Sequence, residues 1–238
     1  MKKMDAFLIF LTCLVLLQSG LSHQWRTGSL QSESVAQPVS LDGIIDVGTP
    51  SILDIHNFQT KGRSTAPIAL AEFTDYECPY CARHAQTVGP EIEKRFVDTG
   101  QLRYAFLNNP LPFHAHAKLF AAAAACAGAQ NHFFDMHDAL FSKRPESKEA
   151  ILMIARAKFI NEPRFADCLE NQDTQEQIEQ EVESANSLAL HGTPAFVLGT
   201  SLSGDRFLVK KIIRGAQPFE VFKVAIQGLL ANIEQDAH

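Results

Sequence analysis

Ile68-Ala69-Leu70-Ala71-Glu72-Phe73, followed after Thr74-Asp75-Tyr76-Glu77 by Cys78-Pro79-Tyr80-Cys81, decides how this chain is read. The first run is apolar without alternation, apart from one acid. A strand of that kind is covered on both faces, as in a parallel sheet. Pro79 directly follows a cysteine. Proline suits the first position of a helix, where its missing N–H has no partner to lose. The spacing predicts a helix from Pro79 towards Val97, bent near Gly89-Pro90 and ended at Gly100. Leu102–Leu107 reads as the next strand, and the three elements make a right-handed βαβ unit.

Further along, from His114 to about Leu190, the sequence carries no strand signal. Ala117–Ala129 is an Ala-rich helix, and His132–Phe141 continues helical. Glu149–Phe159 carries Leu152, Ala155 and Phe159 at helical spacing. Asp173-Thr174-Gln175-Glu176 has the capping-box pattern, ahead of an apolar stripe at Ile178, Val182 and Ala185. Strand character returns at Ala195–Leu198 and Phe207–Ile213, which flank a polar Gly/Ser loop as in a hairpin. Pro218 opens a last helix over Val221–Ile233. The fold class is therefore α/β, ordered βαβ, helical block, ββα.

The chain has 238 residues, 46% hydrophobic and 20% charged, a globular composition with enough length to bury a core. Lys and Arg number 21 against 27 Asp and Glu, so no basic excess is present to hold nucleic acid. Met1-Lys2-Lys3, the apolar run Ala6–Leu17 and the small residues Gly20 and Ser22 have the layout of a secretory signal over residues 1–22. The run is short of the roughly 20 apolar residues of a membrane helix. Cys13 lacks the small preceding residue that would mark lipid attachment. Cleavage would leave Cys78, Cys81, Cys126 and Cys168 in an exported, periplasmic protein, where disulfides persist. Residues 23–50, with Trp25 as their aromatic, show no sustained period and read as a flexible or a dimerising arm.

The chemistry concentrates in Cys78-Pro79-Tyr80-Cys81. At a helix start, the dipole and free backbone N–H groups stabilise a thiolate, lowering a thiol pKa from about 8.5 into a range of about 3.5–7.5. Cys78, the more N-terminal and exposed, would attack; Cys81, one turn in, would resolve the mixed disulfide. A metal site would want further ligands at suitable spacing, and His84 lies further along the same helix. His114, His116, His132 and His137 lack a supporting cysteine or carboxylate pattern and read as packing or capping residues. Gly192-Thr193-Pro194, just before a strand, places Pro194 for a cis peptide bond or for an ordinary turn.

Together, the strand, the cysteine pair, the helical insertion and Gly192-Thr193-Pro194 resemble the DsbA-like thiol–disulfide oxidoreductases. Pro67–Glu77 is similar to that family's run into its active site. Pro112-Phe113-His114 and His132–Asp138 are similar to its insertion. The resemblance implies a thioredoxin-fold domain over 51–113 and 190–238, with an inserted all-helical domain over 114–189. It implies catalytic roles for Cys78, Cys81 and Glu72, a redox disulfide Cys78–Cys81, and substrate contacts at Pro79, Tyr80, Thr193 and cis-Pro194. Glu72 would lie beneath the cysteine pair as a proton relay with a raised pKa; pairing with Arg103 on the neighbouring strand would oppose that rise. No organic cofactor and no metal is implied. The partners implied are unfolded or partly oxidised exported proteins and a membrane redox partner.

The Pro-Tyr dipeptide departs from the Pro-His of the strongly oxidising namesake, and threonine before the cis-proline resembles the isomerase branch. Three readings stay open: a dithiol oxidase, a dimeric isomerase or reductase joined through residues 23–50, and a non-enzymatic metal-binding periplasmic protein. Cys126 and Cys168 are either two buried free thiols or, as expected in an oxidising compartment, a disulfide clipping the helical block.

Overall fold

The computed structural model describes residues 40 and 42–236. The expected signal segment 1–22, with Cys13, and most of the expected arm, with Trp25, lie outside the described residues.

A seven-stranded sheet forms the frame. Its central strand is β4 (Ile68–Thr74), in which every residue is buried. Ile68 and Leu70 face one apolar cluster, which contains Cys81, while Ala69, Ala71 and Phe73 face a second on the other side. That double covering is why the run lacks alternation. β5 (Leu102–Asn108) pairs with β4 in parallel, Ile68 opposite Leu102. On the other flank β6 (Ala195–Ser201) pairs antiparallel with β4, and β7 (Arg206–Arg214) with β6. Gly199 sits at a bulge in β6, where a Cβ would lie 2.0 Å from the Leu208 carbonyl oxygen, so only glycine allows the strands this close.

Three short strands precede β4. β1 (Ile44–Asp46) and β2 (Ile52–Asp54) pair antiparallel with β7, and β3 (Gln59–Lys61) with β5. The arm expected through residue 50 is thus a sheet strand by Ile44. Three residues carry too little period to announce a strand; β1 takes its register from β7.

Between β4 and β5 the chain is helical in two pieces, α1 (Pro79–Gln86) and α2 (Val88–Ile92), the second running on through a π-turn over Glu93–Val97. The break falls at Thr87, where φ is −127°, just ahead of Gly89-Pro90. Pro90 has no N–H to return to the preceding turn. Gly100, at φ +78°, closes the segment.

From β5 to β6 the chain runs through α3 (Ala117–Gly128), α4 (Phe133–Lys143), α5 (Lys148–Ala157), α6 (Glu162–Leu169) and α7 (Gln172–Ser187). α6, which carries Cys168, is capped by Asn161, whose side chain accepts from the Arg164 N–H. α7 is capped by Asn171, which accepts from the Asp173 N–H, and not by the box expected at Asp173. Asp173 instead lies in the first turn, where its charge meets the positive end of the helix. α8 (Phe219–Asp236) closes the fold and packs Phe222, Ile226 and Leu229 into the core on the α1 side of the sheet.

Cys126 of α3 is bonded to Cys168 of α6, 42 positions further along the sequence. Closing a loop of that length removes about 4 kcal/mol of unfolded-state entropy. Replacing both cysteines by alanine should therefore lower the unfolding free energy by about 2–4 kcal/mol in urea titrations. Reactivity at Cys78 should not change in the same variant.

Candidate active site

β4 delivers the chain to the C-terminal edge of the sheet, and α1 begins there. Cys78 is the N-cap residue of α1, with extended backbone (φ −70°, ψ 121°), and Pro79 follows at the first helical position. Asp75 shapes the approach: its carboxylate accepts from the Glu77 N–H at 2.8 Å and its carbonyl from the Cys78 N–H at 3.1 Å. Cys78 and Cys81 are both free thiols. Cys78 is the more exposed of the two but keeps only 5% of its surface, and Cys81 keeps none. The covering comes from the loop before β6, where Thr193–Pro194 is a cis peptide bond. The Cys78 sulfur lies 3.4 Å from the Thr193 carbonyl oxygen. The Pro194 carbonyl is engaged by the Gly215 N–H at 2.9 Å.

The two sulfurs are set in opposite directions. A hydrogen bond from the Cys81 thiol is the main influence bringing the Cys78 pKa down to about 5, against the opposing cost of burial. The Thr193 side chain and the backbone N–H groups of Cys81 and Tyr80 add to it. Burial, and then the neighbouring Cys78, push the Cys81 thiol far up. A thiol lowered in this way is the more nucleophilic of two, and one raised in this way keeps its proton. Tyr80, between them, is 57% exposed, and the Arg83 guanidinium lies over its ring at 5.2 Å.

Glu72 projects from β4 to the same side as Cys81 and is 1% exposed. Burial is the main cause raising its pKa to about 7. Arg103 is not its partner. Register sets Arg103 opposite Ala69, and its place in β5 turns it to the far face, where it pairs with Asp205. Tyr104, the next residue, faces Glu72 and donates its hydroxyl to Oε2. His84 Nε2 stands 3.0 Å from the Tyr104 oxygen and 3.7 Å from Glu72 Oε2. Burial drives the His84 pKa down to about 3, so its ring is neutral at physiological pH. In the sequence His84 reads only as a neighbouring metal-ligand type, yet its spacing one turn after Cys81 places both on one helix face.

Acids bind the helical segment to the cysteine loop. Asp75 Oδ2 receives the Leu111 N–H at 2.7 Å and lies 2.8 Å from His114 Nδ1. Glu77 receives the His116 N–H at 2.6 Å. Tyr76 meets His137 of α4 at 3.1 Å, with both side chains buried. His132 precedes α4 and pairs with Asp135 at 3.0 Å. All four histidines stand within hydrogen-bond distance of an acid or a tyrosine. Beside this loop a groove of about 700 Å³ runs between Asn109–Ala115 and α7.

The family profile described as Thioredoxin matches residues 58–206. The chain belongs to the thioredoxin family. Its fold resembles that of DsbA-like proteins. Wolbachia pipientis alpha-DsbA1 superposes with a TM-score of 0.64 at 21% identity, over 78% of this chain and 97% of that one. Oxidised BdbD from Bacillus subtilis gives a TM-score of 0.64 at 23% identity, over 80% and 100%. Disulfide bond formation protein D of Bacillus subtilis is 33% identical over 91 residues, 37% of this chain and 40% of the relative. Na(+)/H(+) antiporter NhaA 3 of Salinispora tropica is 32% identical over 157 residues, 65% of this chain and 23% of the relative. The thioredoxin-family chain therefore spans about a quarter of the antiporter and two fifths of the disulfide-forming relative. Among the described residues no helix is long and apolar enough to cross a membrane.

The setting of the thiols makes two measurable demands. Alkylation of the reduced protein at Cys78 should follow a thiolate that is half formed near pH 5, with the rate flat above about pH 6 and falling below it. A free thiol would instead show its rise near pH 8.5. For Glu72 the folded pKa is raised, so the stability carried by its protonated form is full below about 4.5 and lost as pH rises through about 7. Glu72→Gln does not titrate. It should gain on the order of 3 kcal/mol over the parent between pH 4 and pH 8, read from denaturant midpoints across that range.

Proposed function

We propose that the chain is an exported thiol–disulfide oxidoreductase that introduces disulfides into secreted proteins through Cys78 and Cys81. The observation that carries this reading is the pair of oppositely set sulfurs at the start of α1, with Cys78 against the Thr193 carbonyl beside cis-Pro194. Stabilising the Cys78 thiolate stabilises the dithiol form, and a pair whose reduced form is stabilised gives up its disulfide readily. That favours the oxidase direction over the isomerase or reductase.

In the forward step a client thiolate attacks Cys78 in the Cys78–Cys81 disulfide. A client–Cys78 bond forms, and Cys81 leaves as a thiolate and takes a proton. A second client thiol loses its proton to solvent and attacks the client sulfur of the mixed disulfide. Cys78 leaves as a thiolate that needs no proton at neutral pH. The client has then lost two electrons and the pair holds them, until a membrane redox partner accepts them. Glu72 supplies the proton to Cys81, and Tyr80, Pro79, Thr193 and Pro194 form the surface on which the client lies. Thr193 offers backbone to it in the manner of a strand.

Thiol trapping in cells should find the Cys78/Cys81 pair mostly oxidised. The purified disulfide form should re-form the disulfides of reduced ribonuclease. Cys78→Ser should abolish this, and Cys81→Ser should accumulate client–Cys78 mixed disulfides. A pair found mostly reduced, with insulin reduction in place of ribonuclease oxidation, would reverse the direction. A Cys78→Ser variant as active as the parent would remove the reading altogether.

A further inference from the structure

The oxidase step leaves one question of chemistry. Cys81 departs as a thiolate inside the protein, with none of its surface exposed. A buried, unpaired anion is costly, so a proton has to reach that sulfur as the bond breaks. Glu72 carries one, but something must connect the two.

Thr74, the last residue of β4, has the same parity as Glu72 and therefore points to the same side of the sheet. Its side chain is 1% exposed, and in the dithiol form its hydroxyl has no hydrogen-bond partner among the described residues. Most buried hydroxyls find a partner, and one left without calls for an explanation. The hydroxyl stands beside the Glu72 carboxyl and beside the Cys81 thiol, and it favours the charged form of each. Glu72 Oε2 is engaged by Tyr104, whereas Oε1 is buried and without a partner. One unpaired carboxyl oxygen, one unpaired hydroxyl and the buried sulfur thus share the same buried side of β4.

We infer that the Thr74 hydroxyl conducts the proton between Glu72 and Cys81. As Cys81 leaves Cys78, the Thr74 O–H proton passes to the Cys81 sulfur, and the Glu72 proton replaces it on the threonine oxygen. Cys81 ends as a thiol, Thr74 is unchanged and Glu72 is a carboxylate. Tyr104 and His84 are positioning residues. Tyr104 donates to Oε2, so it accepts from the His84 Nε2–H, and this chain fixes the carboxyl with Oε1 left for Thr74. Around Glu72 stand Tyr104 from β5, His84 and Cys81 from α1, Lys61 from β3, Glu93 from the π-turn and Tyr76 from the cysteine loop. Lys61 and Glu93 are bonded to each other at 2.7 Å, and their influences on Glu72 oppose.

This inference rests on the oxidoreductase reading, and one experiment separates the two. The oxidised full chain is mixed with 2-mercaptoethanol between pH 5 and 9, quenched with acid, and the release of Cys81 is followed by mass. Rates are expressed per reagent thiolate. The parent should be fastest where Glu72 holds its proton and should slow as pH rises through about 7. Thr74→Val should be slower by about tenfold or more below pH 7 and should lose that inflection, with its Cys78 alkylation profile unaltered. Thr74→Ser should restore both rate and inflection. If the valine variant does not fold, Thr74→Ala is read in the same way. A hydroxyl-free variant that keeps the inflection and a rate within about twofold of the parent overturns the inference, as does a serine variant as slow as the valine. A parent that does not exchange at all overturns the oxidoreductase reading, and the inference with it.

Discussion

Two sulfur atoms on one helical turn are held in opposite protonation states, and the rest of the structure is arranged around that difference. Cys78 is the cap of α1, where the first backbone N–H groups of the helix have no partner of their own. Cys81 lies inside the first turn, with apolar core around it. The same burial that raises Cys81 makes its proton available to Cys78 as a hydrogen bond. A buried strand that ends at this point, a helix that starts at this point and a cis-proline loop that folds over it are three separate requirements. β4, α1 and the segment before β6 each supply one.

The interior beneath the pair is less apolar than its packing needs. Glu72, Tyr104, His84, Tyr76 and His137 are all buried on the side of the sheet that carries α1 and α4. The two histidines are neutral there, each through burial. Glu72 has no cation bonded to it, because the nearby arginine faces the opposite side and holds Asp205. An acid in such surroundings keeps its proton to an unusually high pH, at a cost in stability that an amide would avoid. Glu181 is a second acid of this kind, raised to about 7 by burial while it accepts from Asn108 and Gln177. It joins α7 to the end of β5 and lies in a different polar cluster, so the two acids titrate in different surroundings.

The helical segment is tied to the cysteine loop at several points. Asp75 and Glu77 hold the chain that leads into α3, and Tyr76 is bonded to α4. Three successive residues of the loop thus reach into the segment between β5 and β6. Movement of those helices would be felt in the backbone just before Cys78. The Cys126–Cys168 bond works elsewhere, joining α3 to α6 and limiting the unfolded chain.

Much of this is legible in the sequence. The unbroken apolar run announced a doubly covered strand. The proline after Cys78 announced a helix start, and the residue order announced the α/β plan. These features depend on neighbours in sequence, where period and capping act. What escaped was whatever depends on contact across the fold. β1 is a strand only because β7 offers it an edge. Arg103 lies on the strand beside Glu72, where sequence alone allows a pairing, yet a parallel register with alternating sides sends Arg103 away and brings Tyr104 in. Thr74 and His84 look ordinary in sequence, and only the packing of α1 on β4 sets both around one carboxyl. Side-chain direction in a strand follows from parity, but which partner waits on that side is decided by the element packed against it.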